Sequence, residues 1–112
     1  MPKKSKVIIP VPKEKRTQPY WAELNKVIDP ELNLGIVDLG LIYDVQIKNK
    51  DATVYMTLTS PACPVGPTII REVEDRMRLF RDLKNVYIEV VWDPFWTQER
   101  IDPEIRELMF GL

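Results

Sequence analysis

Histidine is absent from this chain of 112 residues, and cysteine occurs once, at Cys63. The first absence excludes a Cys–His catalytic pair within one chain, and with it any metal site built on imidazole. The second excludes an intrachain disulfide. Nothing in the cysteine usage then suggests export, and a reducing cytoplasm is the expected compartment. No apolar run approaches the roughly 20 residues that span a bilayer. The lysine-bearing N-terminus has no apolar stretch of signal-peptide length. The length suits one domain with a real core.

What is present is unevenly charged. Residues 1–18 carry Lys3, Lys4, Lys6, Lys13, Lys15 and Arg16 against Glu14 alone, while the whole chain is at −1, so the remainder is acidic. An acidic body argues against a nucleic-acid binder. The basic arm could touch an acidic partner or nucleic acid. Pro2, Pro10 and Pro12 favour the plainer reading of a flexible, solvated arm over 1–18, with a single α+β domain over 19–112.

Within that domain, Pro19 to Ile28 reads as a helix, with Trp21, Leu24, Val27 and Ile28 on one face and Asp29-Pro30 ending it. Glu31 to Gly40 is a turn-rich loop whose apolar anchors fold it back onto the core. Leu41 to Lys48 and Ala52 to Thr59 alternate as a hairpin, with Tyr43, Val45 and Ile47 on one face of the first strand. An amphipathic helix runs from Pro67 to about Leu83, a third strand from Val86 to Trp92, and a short helix from about Pro103 to Phe110. The order helix, strand, strand, helix, strand predicts a small two-layer α+β sandwich, with helices on one face of a mixed sheet. The third strand, reached through a helix, can lie parallel to a hairpin strand.

Cys63 falls between the second strand and the long helix. There the helix dipole and free N–H groups bias a thiol towards nucleophile or soft metal ligand. Hydroxyls of Thr57, Thr59 and Ser60 flank it. The plainer alternative is a buried cysteine acting as a small hydrophobe. Asp29, Glu31 and Asp38 share one loop and could converge on Cys63 as hard ligands for iron or zinc; alternatively Asp29 and Asp38 organise turns and Glu31 lies in solvent. Trp92 is in phase with the third strand and reads as core. Trp96 and Phe95 lie past it and read as a partner-docking patch.

Three segments, IDPELNLGIVDLGLIYDV (Ile28 to Val45), LTSPACP (Leu58 to Pro64) and VWDPFWT (Val91 to Thr97), occur in one order. Together they resemble the iron–sulfur assembly family that includes SufT and the domain shared with PaaD, whose eukaryotic members belong to the cytosolic iron–sulfur targeting complex. The resemblance runs from about Tyr20 to Thr97. It implies a role in maturing iron–sulfur proteins by assembling clusters or delivering them to clients. By motif match, Cys63 takes the place of the family's reactive cysteine. Asp29 and Glu31 fall in its Asp-Pro-Glu motif, Asp38 in Val-Asp-Leu-Gly, and Thr59 in the approach to the cysteine. Trp92, Pro94 and Trp96 match its aromatic motif. PaaD-like proteins carry a further cysteine-bearing region that this sequence lacks, so a role in ring oxygenation is not expected.

Three function classes follow. The first is a maturation factor in which Cys63 transiently holds iron or an iron–sulfur cluster. A cluster takes about four thiolates, so the remaining ligands must come from a homodimer, a small thiol, carboxylates or a partner protein. The second is a cysteine enzyme, which lacks a histidine base and a resolving thiol, so no enzymatic activity is expected. The third is an adaptor that recruits client proteins or other assembly factors, with Cys63 structural.

Overall fold

The computed structural model describes residues 7–60 and 62–111; the expectations for Pro2, Lys3, Lys4 and Lys6 lie outside the described residues, as does Pro61 of the LTSPACP run. The elements are α1 (Pro19–Leu24), β1 (Ile28–Asp29), β2 (Leu34–Gly35), β3 (Ile42–Lys48), β4 (Asp51–Met56), α2 (Gly66–Met77), β5 (Asn85–Val90) and α3 (Pro103–Phe110). The sheet order is β3-β4-β5, with β3 antiparallel and β5 parallel to β4. This is the mixed-sheet α+β fold expected from the alternation of hairpin, helix and strand. The hairpin closes through Asn49 and Lys50, both at positive φ (52° and 68°), in register with the pair Lys48 and Asp51. Positive φ at both central residues is the two-residue turn whose twist matches the strands it joins.

One sheet face packs on the helices. Ile69, Val73 and Met77 of α2, each four apart, meet Val45, Ala52, Val54 and Met56, with Leu24 of α1 and Ile36, Leu39 and Leu41 of the loop completing the core. Glu23 on α1 pairs with Arg76 on α2 at 2.8 Å, tying the two helices at their surface. Several ends differ from the sequence reading. Helix α1 stops at Leu24, because Ile28 and Asp29 instead pair with Leu34 and Gly35 as a short antiparallel ribbon. Helix α2 stops at Met77, leaving Phe80 and Leu83 in the connection to β5. Trp92 lies beyond the end of β5.

The opposite face carries a second cluster of Ile8, Tyr43, Tyr55 and Val91. Tyr43 was expected beside Val45. It turns the other way because the register shifts between Ile42 and Asp44, and one extra residue in a strand inverts the alternation on one side of it. Its hydroxyl donates to the Pro94 carbonyl at 2.6 Å.

Ile8 belongs to the arm expected to be solvated, and residues 7–16 are in fact docked. Val7 bridges Asp93 in parallel, Ile8 N–H donates to the Asp93 carbonyl, and Val11 N–H donates to Tyr43. Arg16 donates from Nε to Val11 and lays its guanidinium 5.5 Å from the Trp21 ring, a cation–π contact. Prolines that forbid helix also hold a segment extended, which is what a strap across a sheet end requires.

Lys13 closes the strap by pairing with Asp102, which caps α3 by accepting from Glu104 N–H. Burial pushes the Asp102 carboxyl up, but the Lys13 ammonium and the Glu104 N–H outweigh it and hold it below the usual range. A depressed carboxyl stabilises the fold above its unfolded pKa, and that contribution fades as pH falls through the folded value. Amide-exchange protection at Val11, corrected for intrinsic rates, should therefore fall below roughly pH 4. Asp102→Asn should flatten that acid dependence; a profile identical to wild type would remove Asp102 from the clasp.

Candidate functional site

The loop from Met56 to Gly66 leaves β4 and climbs to the start of α2. Two turns follow back to back: Cys63 N–H donates to the Ser60 carbonyl at 3.1 Å, and Gly66 N–H donates to the Cys63 carbonyl at 3.2 Å. Cys63 is thus the shared corner of both, two residues before Val65, the N-cap of α2. Its side chain is half-buried and packs against the main core. The Gly66 N–H, which a free helix start would offer to a ligand, is already taken by the backbone of Cys63 itself.

Two of the flanking hydroxyls engage the backbone of their own loop. Ser60 Oγ accepts from Ala62 N–H at 3.2 Å, which shapes the first turn. Thr57 is fully buried; its N–H donates to Leu41, and its hydroxyl reaches the Leu58 carbonyl at 3.5 Å. Thr59 is half-buried on the same loop.

The three acids occupy different settings. Asp29 is buried, accepting from Glu31 N–H at 2.8 Å through Oδ1 and from Asn33 N–H at 2.7 Å through its carbonyl. That is the turn-organising alternative. Glu31 is exposed. Asp38 accepts from Asn25 Nδ2 at 3.0 Å and lines a depression with Lys13, Arg16, Trp21 and Asp102. Among the described residues, no three Cys, Asp or Glu side chains come together as a metal-holding group. The expected convergence of all three acids with Cys63 is not observed.

Asn25 is a residue that sequence reading missed. Its Oδ1 accepts from both Val37 and Asp38 N–H, at 3.1 and 3.0 Å, so one amide sews the acid-bearing loop to the end of α1. An asparagine twelve residues before a Val-Asp-Leu-Gly turn is the only signal it leaves.

Of the aromatics, Trp96 is half-buried against the main core, and its indole N–H donates to Leu39 at 2.7 Å. Such a satisfied ring is chiefly a structural bolt. Phe95 is 66% exposed, with its ring 6.4 Å from that of half-buried Trp92, so the docking reading keeps Phe95 as its outward residue. No helix among the described residues is long and apolar enough to cross a membrane.

Comparison with known proteins bears on the family and the fold. A family profile described as iron–sulfur cluster assembly protein matches residues 21–90. The chain is 40% identical over 79 residues to the Fe-S protein maturation auxiliary factor YitW of Bacillus subtilis, covering 70% of this chain and 78% of the relative. It is 43% identical over 74 residues to the auxiliary factor SufT of Staphylococcus aureus, covering 65% and 84%. A crystal structure of a domain of unknown function from Bacillus anthracis superimposes with a TM-score of 0.75 at 36% identity, covering 83% of this chain and 89% of that one. A conserved hypothetical protein from Thermotoga maritima does so at 0.71 and 40% identity, covering 92% and 97%. With most of its length under the profile and a matching fold at this identity, the chain belongs to the iron–sulfur cluster assembly protein family.

Proposed function

We propose that this protein serves iron–sulfur protein maturation as a non-enzymatic factor, with Cys63 lending its thiolate to a cluster or iron ion in transit. The observation that carries the reading is the placement of the chain's one thiol, half-buried at a double turn between β4 and α2, within a family of cluster assembly proteins. The donor set suits cargo better than a resident group. One thiolate without histidine, and with no trio of ligating side chains among the described residues, can supply only part of a shell that takes about four thiolates. The rest must come from a second copy, a small thiol or a partner. Sharing of that kind favours hand-over, since no single chain holds the cargo tightly.

The alternative is an adaptor that recruits clients through exposed surface, and the observation in its favour is Phe95 standing out from Trp92. The two readings separate on Cys63→Ser. Wild type and variant are incubated anaerobically with iron and sulfide, desalted, and assayed for iron per chain and for visible thiolate-to-iron absorption. Retained iron that disappears with the thiol is the expected result. Equal iron in both, or none in either, overturns the carrier reading and leaves the adaptor, for which Phe95→Ser should then weaken client maturation.

A further inference from the structure

The geometry points to Gly66 as the positioning residue for Cys63: by having no side chain, it sets how closely the start of α2 approaches Leu58, and so how far the thiol is exposed. Gly66 is buried and is the first residue of α2. Its φ lies outside the left-handed region, so backbone freedom does not explain a glycine there. What excludes a larger residue is space. A Cβ at position 66 would lie 2.9 Å from Leu58 Cδ1, inside any real contact distance, and 4.0 Å from Cys63 Cβ.

Leu58 is itself buried in the main core, two residues past β4, so either its side chain must turn within that packing or the helix start must move. The second turn of the loop runs from Cys63 to Gly66, so any wedge between Gly66 and Leu58 acts on the residue at the other end of that turn. A methyl group at position 66 pushes the helix start away from Leu58 and lifts Cys63 out of its half-buried setting. The inference deepens the carrier reading and rests on it only for its functional consequence; the geometric part stands alone.

The test reads the thiol directly, since Cys63 is the only one in the chain. In native buffer, Gly66→Ala should raise the rate of Cys63 alkylation by iodoacetamide roughly threefold or more, because access governs thiol reactivity. Adding Leu58→Val, which removes the clashing atom, should return the rate to near wild type. Ile8→Ala, a destabilising change in the separate cluster on the opposite sheet face, should leave it unmoved, which separates positioning from general loosening. An unchanged rate in Gly66→Ala, or a rise that Leu58→Val does not reverse, overturns the proposal. Should Gly66→Ala fail to fold, recovery of folding in the double variant supports the clash, and failure of the pair refutes it. Iron retention is measured on the same samples. Positioning confirmed together with iron retained by Cys63→Ser would sink the carrier reading while leaving the role of Gly66 intact.

Discussion

Gly35→Ala is expected to cost on the order of 3 kcal/mol or more, the range of severe overpacking. A Cβ there would sit 2.2 Å from Asn25 Oδ1 and 2.3 Å from the Asn25 backbone carbonyl. A side chain can swing aside; the backbone oxygen at the end of α1 cannot. Moving Asn25 also breaks its two bonds from the Val37 and Asp38 amides, so the ribbon of β1 and β2 and the acid-bearing loop loosen together. Urea unfolding should show a large fall in midpoint with little change in slope. Truncating Asn25 to alanine in the same chain should not rescue it, because the backbone oxygen remains. A loss under about 1 kcal/mol would mean the loop tolerates the added methyl, contrary to the packing described.

Ile8→Asp is the second large effect. Ile8 is buried with Tyr43, Tyr55 and Val91 on the sheet face away from the helices. A carboxylate cannot be accommodated there without partners, and lost burial plus desolvation should amount to about 3 kcal/mol. The expected signature is local before it is global. Near-ultraviolet ellipticity from the tyrosines should weaken at denaturant concentrations where far-ultraviolet ellipticity persists. Ile9→Asp, one position along and 84% exposed, should be nearly silent. Equal effects at the two positions would contradict the docked strap.

The hairpin and α2 were legible because each carries its own period: Val54, Met56 and Leu58 two apart, Ile69, Val73 and Met77 four apart. Those signals are local and survive without knowledge of the rest of the chain. What escaped were features set by distant partners. Tyr43 alternates properly as sequence and is reversed by a bulge opposite Met56 and Tyr55. Ile28 fits a helical face, yet its backbone is claimed by Gly35. Residues 7–16 read as tail because prolines and lysines dominate, although Ile8 has a pocket waiting at the far end of β5. At the site, the cysteine was placed between the right elements from its strand-to-helix context. Asn25 could not have been singled out, since its importance lies in two backbone amides twelve and thirteen residues away. The acids were near one another in sequence, but Asp29 is turned inward by its own loop and Asp38 faces Asn25, Lys13 and Asp102.

The parallel pairing of β4 with β5 has a consequence for the order in which the molecule assembles. The β3–β4 hairpin closes over two residues and needs only its own neighbourhood, whereas β5 must wait for the whole 57–84 connection to be gathered in, the slower kind of closure. Cys63 lies inside that connection. The strap comes later still, because Val7 and Ile8 dock on Asp93 and Val91, which follow β5. Residues 7–16 are therefore among the last to find their place, and until β5 pairs, the loop around Cys63 has its local turns without the packing that steadies them. Before β5 pairs, metal or oxidant meets Cys63 on an unpacked loop; the finished fold covers half of it.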